Sequence, residues 1–325
     1  MQNGKAALAS GLIGGIGFGS TEFHVLRPND DVLAEWVLAF LRQPSFRAVA
    51  EANFTGSAGQ LRVPTDFLKK TAIPVPPLAE QARMVQLLNE AAELQVLRAR
   101  ADRRTADLIP AIFEEMFGQG KGAWPMSTLG AVVDEFRYGT SNKATGQGKA
   151  TLRIPNVVAQ AVNLDDLKFV PVSADEFERL RLVDGDLLFV RTNGNPDYVG
   201  RCAVFDAKAI NEAGHDAEDF IYASYLIRAR LKPGVVLPVF VQHYLTSPEG
   251  ARELRSRSKT SAGQYNINTE GLGNIPLLAP PLQLQKVFSE RVAEIRELEA
   301  SQAACGARLD ALFQATLHRA FQGEL

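Results

Sequence analysis

Cysteine, histidine and long apolar runs are scarce in this chain, and each scarcity excludes a class of protein. The two cysteines, Cys202 and Cys305, are far apart and match no metal or redox spacing, which argues against a disulfide-stapled or zinc-bound domain. The four histidines form no ligand motif, so we expect no metal and no cofactor. No stretch approaches about 20 continuous apolar residues, so we expect no membrane span. Because the cysteines show no disulfide pattern, we expect a reducing, cytoplasmic setting.

An excess of positive charge is also absent. The formal net charge is −2, and residues 124–275 contain 17 lysines and arginines against 18 aspartates and glutamates. Nucleic-acid-binding domains are often basic overall, so any contact with DNA must come from the local placement of charge. With 325 residues and 46% hydrophobic content, the chain is long and apolar enough for two domains.

An internal repeat dominates the sequence. Ser-Ala-Gly-Gln at 57–60 recurs at 261–264, Pro-Pro-Leu at 76–78 recurs at 280–282, and Phe117 corresponds to Phe321, all at an offset of 204 residues. The second copy has a long region ahead of the match, roughly 124–236, whereas the first has only 32 residues there. We therefore expect the front half of the first copy to be missing before Met1; a naturally shorter first copy is the alternative.

Each copy ends in a stretch that predicts a long helix, at 79–118 and at about 283–321. Apolar residues recur there at spacings of three and four, which predicts that the two helices pair like a coiled coil. A helix of about 40 residues is about 60 Å long, so such a pair can act as a spacer. Pro110 should kink or end the first helix. The residues expected in the helix-pair interface are Met84, Leu88, Ala91, Leu94, Leu108, Phe288, Val292, Ile295, Leu298, Leu309 and Leu312.

The region between the helices predicts a compact α/β domain. Alternating and apolar runs predict strands at 186–191, 201–205 and 222–231, and helices at 239–245 and 248–258. The fold class is therefore α/β (α+β), with globular domains separated by long helices. The predicted segments are 1–77 for the first domain, 78–120 for the first long helix, 121–277 for the second domain and 278–325 for the second long helix.

Several of these motifs occur together in one known family. The run Ile73-Pro74-Val75-Pro76-Pro77-Leu78-Ala79-Glu80-Gln81, its partial echo at 275–285, the two Ser-Ala-Gly-Gln segments and Ser20-Thr21-Glu22-Phe23 resemble the specificity subunit of type I restriction–modification systems. The second helix entry departs from the pattern, with Leu282-Gln283-Leu284-Gln285.

The resemblance implies a sequence-specific DNA-recognition subunit without a catalytic site of its own. It implies two target recognition domains, the first truncated here, that each read half of a bipartite target in double-stranded DNA. It also implies that the two helices are antiparallel, set the spacing and bind methyltransferase subunits. An endonuclease and translocase subunit would complete the complex.

Three polar segments are candidates for contact with DNA. Arginines and Lys259 precede Gln264 and Asn266, whose amides can pair with adenine. Arg191 and Arg201 bracket a polar loop, and Lys143 lies in a glycine-rich stretch at 138–149. The alternatives are a solvated helix end, a polar hairpin loop and a flexible loop without a partner. The predicted DNA-contacting residues are Arg191, Thr192, Asn193, Asn195, Tyr198, Arg201, Lys143, Arg257, Lys259, Ser261, Gln264, Tyr265 and Asn266.

Other functions remain open from the sequence. Asn195-Pro196-Asp197-Tyr198 resembles the Asn-Pro-Pro-Tyr signature of DNA amino-group methyltransferases, but the glycine-rich stretch at 14–19 lacks the strand–loop–helix context of a methyl-donor site. A coiled-coil scaffold for protein contacts and a non-functional remnant are further alternatives. A second copy of the chain could also restore the missing symmetry.

Overall fold

The computed structural model describes residues 5–56, 61–118, 124–158, 161–261 and 263–322. The chain divides into two compact units: unit 1 is Met1–Ala106 with Leu298–Leu325, and unit 2 is Asp107–Glu297. Helices and sheets are both present, so the predicted α/β fold class is confirmed. None of the described helices is long and apolar enough to span a lipid bilayer.

The elements are numbered in chain order. The first five are the helices α1 (Ala34–Arg42), α2 (Pro44–Ala52), α3 (Thr65–Lys70), α4 (Leu78–Ala106) and α5 (Leu108–Phe117). They are followed by β1 (Met126–Thr128), α6 (Leu129–Val132), β2 (Val133–Tyr138), β3 (Lys149–Leu152), β4 (Val157–Val158), β5 (Ala161–Val162), β6 (Lys168–Val170), α7 (Ala174–Leu180), β7 (Leu187–Val190), β8 (Thr192–Asn193), β9 (Cys202–Val204) and α8 (Ala207–Glu212). The last are β10 (Phe220–Tyr222), β11 (Leu226–Leu231), α9 (Pro238–Thr246), α10 (Pro248–Arg257), β12 (Lys259–Ser261), β13 (Gln264–Asn266), α11 (Thr269–Gly273), β14 (Pro276–Leu278) and α12 (Leu282–Gln322).

An antiparallel four-stranded sheet, in the order β2-β11-β7-β9, forms the centre of unit 2. Strand β7 is buried along its whole length: Leu187 and Phe189 enter one apolar core, and Leu188 and Val190 enter a second. Because side chains alternate between the faces of a strand, a continuous apolar run fits a sheet that is covered on both sides.

The predicted secondary structure of this region is largely right. The strands expected at 186–191 and 201–205 are β7 and β9, and the expected helices are α9 and α10. The single strand expected at 222–231 is wrong, because the chain turns at 223–225 and divides it into β10 and β11. These two strands belong to different sheets, since β10 pairs with β3 and β11 pairs with β2 and β7.

The first long helical stretch is not one helix. It breaks at Asp107, between α4 and α5, three residues ahead of Pro110. Proline has no backbone N–H, and its ring clashes with the carbonyl four residues earlier. That carbonyl belongs to Ala106, the last residue of α4, so Pro110 explains the predicted break. By contrast, α12 continues through Gly306 without interruption.

The repeat is visible in the secondary structure. Helix α1 matches α9 at both ends, α3 matches the start of α11, and α4 and α12 start at equivalent residues, all at the offset of 204 residues. Trp36 of α1 stacks on Phe321 in unit 1, with ring centroids 4.1 Å apart. In unit 2 the equivalent Phe240 packs on Phe117 at 4.9 Å. Each unit therefore closes its core with an aromatic residue from the end of a long helical stretch.

Within unit 1, α4 and α12 lie antiparallel. Met84 and Leu88 are buried with Leu317 and Phe321, while Gln95 Nε2, further along α4, donates to Asp310 Oδ1 at 2.6 Å, earlier along α12. Residue numbers rise on one helix as they fall on the other, which is the antiparallel arrangement that the family resemblance implied.

The buried positions on the helices differ in part from the predicted interface. Met84 and Leu88 are buried in unit 1, and Phe288, Val292 and Ile295 are buried in unit 2. Ala91 and Leu309 are half-buried. The prediction is wrong for four leucines that are exposed: Leu94, Leu108, Leu298 and Leu312. Much of α12 opposite α4, at 301–307, consists of small residues, which cover little of the facing helix.

Candidate nucleic-acid interface

Two of the predicted DNA-contacting segments meet in one small sheet of unit 2. Strands β12, β13 and β8 lie side by side and antiparallel. Asn266, on the central strand, pairs with Lys259 on one side and with Thr192 on the other. The hairpin that carries the second Ser-Ala-Gly-Gln motif is thereby joined to the start of the 191–201 loop. We call the sheet formed by β12, β13 and β8 the hairpin sheet.

The hairpin sheet has an inner and an outer face. Tyr265 is half-buried and packs against the main core of unit 2, so Gln264 and Asn266 on either side of it point away from that core. Thr192 shares their face, because its hydroxyl donates to Gln264 Oε1 at 3.1 Å. The outer face thus presents Thr192, Gln264, Asn266 and Lys259. Tyr265 supports the core, which differs from its predicted surface role.

Arg191 is held at the edge of the hairpin sheet by contacts of its side chain and its backbone. Its guanidinium lies over the ring of Tyr138, 4.8 Å from the ring centroid, and its Nη1 donates to the carbonyl of Ser224 at 3.4 Å. Its backbone carbonyl accepts from the N–H of Ile267 at 2.9 Å. The side chain is therefore oriented before any ligand arrives.

The loop after β8 is a tight, internally bonded turn. Asn193 Oδ1 accepts from the N–H of Asn195, and Asn195 Oδ1 accepts from the N–H of Asp197 at 3.0 Å, at the start of a 3-10 turn (Pro196–Tyr198). Arg201 lies over the exposed ring of Tyr198, 3.6 Å from its centroid. These bonds give the loop a defined shape.

The basic end of α10 lies against this turn. Arg255 forms an ion pair with Asp197 at 2.9 Å, and a groove of about 300 Å³ runs between the turn and helices α9 and α10. Arg257 pairs with Glu253 one turn earlier on α10 and is half-buried, so its charge is partly offset. The side chain of Ser261 lies outside the described residues.

A network of charges beneath Tyr138 fixes the strands that carry it. Glu135 of β2 accepts from Arg137 and from the buried Arg228 of β11. The hydrogen bond from Arg137, and then the nearby charges, lower the pKa of Glu135 below its usual range. The hydroxyl of Tyr222 donates to the carbonyl of Arg137 at 3.2 Å. The network joins β2, the strand that ends at Tyr138, to β11.

Beyond Tyr138, the third predicted segment contacts a different part of unit 2. Lys143 is exposed, and its neighbour Asn142 donates to the carbonyl of Pro171 and to Glu176, both at 3.2 Å. Asn142 thus contacts the β6–α7 connection and α7. A contact between Lys143 and DNA stays a separate prediction.

Two side-chain contacts of the candidate interface could not be predicted from the sequence. Tyr138 falls in a stretch predicted as a loop but ends strand β2, where it stacks on Arg191. The pairing of Arg255 with Asp197 joins segments that lie far apart in the chain. Only the aromatic and charged residue types themselves could have drawn attention to these positions.

Comparison with known proteins gives one consistent group. No protein-family model matches the chain. It is 29% identical over 324 residues to the type I restriction enzyme EcoKI specificity subunit of Escherichia coli (strain K12), an alignment that covers 93% of this chain and 68% of that subunit. It is 24% identical over 322 residues to the StySPI specificity subunit of Salmonella potsdam, covering 92% of this chain and 67% of that subunit.

A solved structure shares the fold. The chain is similar to one determined in work on complex assembly and conformational transition of the type I R-M system. The TM-score is 0.60 at 20% sequence identity, and the alignment covers 90% of this chain and 71% of the other.

Proposed function

We propose that this chain, whose homologues are specificity subunits of type I restriction enzymes, recognises a DNA sequence through the outer face of the hairpin sheet and its basic rim. The family resemblance predicted from the repeated motifs is confirmed by these relatives, which align over more than nine-tenths of the chain.

The observation that carries the proposal is the joining of β8 to β13. It places the hydroxyl of Thr192 and the amides of Gln264 and Asn266 on one outward face, although they come from distant segments. Hydrogen bonds to base edges carry sequence information, and side-chain amides suit the donor and acceptor pair of adenine in the major groove.

The rim of this face supplies the charge that the chain lacks in bulk. Arg191, Arg201, Arg255 and Lys259 all lie on the hairpin sheet, on the adjoining turn or at the end of α10. Arginine and lysine contacts to phosphate give affinity and fix the register of a protein on the duplex. Local clustering of this kind allows a domain of nearly zero net charge to bind DNA.

We assign the chemistry to partner subunits, a methyltransferase and an endonuclease with translocase activity. The names of the relatives describe subunits of a larger enzyme, which supports this division. The methyltransferase alternative needs the Asn195 side chain to hold a flipped base. Its oxygen already accepts the N–H of Asp197, and the ring of Tyr198 lies under Arg201.

The test is to express the chain with methyltransferase subunits and to sequence the methylated sites. We expect methylation at a defined sequence motif that changes when Gln264 and Asn266 are both replaced by alanine. The matched control replaces Gln283 and Asn89, two exposed amides on the long helices. Methylation that occurs without any sequence preference, or an unchanged motif in the double variant, would contradict the proposal.

A further inference from the structure

The two units contain an antiparallel pair of residues at equivalent positions, here called the hairpin pair of each unit. In unit 2, Lys259 pairs with Asn266 across β12 and β13. In unit 1, Thr55 pairs with Arg62 in an antiparallel bridge, with backbone N–H to carbonyl distances of 3.0 and 2.8 Å. Subtracting the repeat offset of 204 residues turns Lys259 into Thr55 and Asn266 into Arg62, so the two pairs are equivalent.

The equivalent pairs each contain one cation, but on opposite strands. Unit 2 has its cation on the first strand, as Lys259, and unit 1 has it on the second, as Arg62. Residues directly opposite in an antiparallel pair are about 5 Å apart, which is less than the reach of either side chain. Each pair therefore carries one positive charge at the equivalent place, although the residue that supplies it differs.

The surroundings of Arg62 differ from those in unit 2. Helix α10 carries Arg252, Arg255 and Arg257, whereas the equivalent residues in unit 1 have no positive charge. Those equivalents are Ala48, Glu51 and Asn53. Unit 1 thus lacks the basic helix end, and the charge of its hairpin pair depends on Arg62.

A carboxylate holds Arg62 in place. Arg62 Nη2 donates to Glu22 Oε1 at 2.5 Å, and both side chains are about half exposed. The segment that carries Glu22 is fixed beside the hairpin by His24, whose Nε2 lies 2.8 Å from the carbonyl oxygen of Val63. Exposed ion pairs contribute little to stability, so another anion or acceptor can take the place of Glu22 at low cost.

We propose that Arg62 is a DNA-contacting residue of unit 1 and that duplex DNA displaces Glu22 from it. This inference rests on the proposed function of the chain. The guanidinium fork binds a pair of acceptors, which DNA offers either as the O6 and N7 atoms of guanine or as phosphate oxygens. Asn266 suits adenine, whereas Arg62 suits guanine or phosphate, so the two equivalent positions do not offer DNA the same hydrogen-bonding groups.

The test uses the full chain with its methyltransferase partner and fluorescent duplexes that contain the methylated motif. We expect Arg62→Ala to weaken binding about tenfold and Glu22→Ala to strengthen it a few-fold, since the competing carboxylate is gone. Arg42→Ala removes another exposed cation of unit 1 and serves as the matched control. Binding by Arg62→Ala that equals that of Arg42→Ala would overturn the inference.

Two further comparisons distinguish a guanine contact from a phosphate contact, and failure of this inference from failure of the proposed function. A guanine contact predicts that Arg62→Lys, which keeps the charge but loses the fork, alters the methylated motif at one base. A phosphate contact predicts an unchanged motif. It also predicts that Arg62→Ala reduces the slope of log binding constant against log salt concentration by about one. If Asn266→Ala changes the motif while the Arg62 variants do nothing, only this inference fails. If neither changes anything, the proposed function fails as well.

Discussion

Gln81 and Gln285 make the same hydrogen bonds in the two units. Gln81 Oε1 accepts from the N–H of Leu33 at 2.9 Å and its Nε2 donates to the carbonyl of Pro76 at 2.7 Å. Gln285 repeats both bonds at 2.8 Å, with Leu237 and Pro280. Both glutamines are fully buried. Each therefore fastens the start of a long helix to the residue before α1 or α9.

Loss of the hydrogen bonds of Gln285 should destabilise unit 2. Gln285→Ala leaves the partly buried N–H of Leu237 and the buried carbonyl of Pro280 without these partners, which we expect to lower the free energy of unfolding by about 2 kcal/mol. Urea denaturation of the purified chain measures this. Gln283→Ala, two residues earlier and exposed, is the control and should change stability little. Equal stability of the two variants would show that the buried bonds do not matter.

His243 should make the stability of unit 2 depend on pH. Burial, and then the charge of Arg296, lowers the pKa of His243 from its usual 6.5 to about 4. Between these values the unfolded chain binds a proton that the folded chain does not. The contribution of His243 is therefore complete above about pH 6.5 and is lost progressively as the pH falls toward 4.

The measurement compares the free energy of unfolding at about pH 7.5 and about pH 5. We expect the wild type to lose about 2 kcal/mol more than His243→Leu over this range. His215→Leu, at an exposed histidine, is the control for the loss of an imidazole. An identical loss in wild type and His243→Leu would contradict the assignment.

Gln264 should affect target choice but not assembly. Its amide lies on the outer face of the hairpin sheet, bonded to Thr192. We expect Gln264→Ala to change the methylated motif at one or two positions, with about tenfold weaker discrimination there. Size-exclusion chromatography with the methyltransferase subunits should show unchanged assembly. A variant that keeps the motif but fails to assemble would instead place Gln264 at a protein interface.

Arg191 should need both its charge and its planar shape. A lysine cannot reproduce the stacking on Tyr138 together with a fork of donors. We expect Arg191→Lys and Arg191→Ala both to weaken binding to the target duplex, with assembly intact. Arg179→Ala, at an exposed arginine of α7, is the control for loss of charge. Full activity of Arg191→Lys would show that charge alone is sufficient.

The sequence predicts the features that depend on local pattern or on the repeat. The apolar run Leu187–Val190 predicts a buried strand, and the offset of 204 residues predicts that α1 and α9 correspond. The pairing of β8 with β13 is non-local, so the sequence could nominate Thr192 and Gln264 separately but could not join them. For the same reason it could not show that Tyr265 faces the core.

The helix interface shows a second limit of sequence patterns. Leu94 and Leu312 have the right spacing for a buried stripe, yet they are 53% and 61% exposed. Periodicity predicts which residues share a face of a helix, but burial depends on what packs against that face. The aromatic residues Phe117 and Phe321, at the ends of the helical stretches, are buried instead.

Photocrosslinking of DNA to the complex tests directly whether the hairpin sheet contacts the target. A duplex that carries the methylated motif with a photoreactive base would be bound to the complex and irradiated, and the attached peptides identified by mass spectrometry. We expect crosslinks in unit 2 at 192–201 and 257–266. Crosslinks confined to other surfaces of unit 2, such as α7 and α8, would contradict DNA recognition by the hairpin sheet.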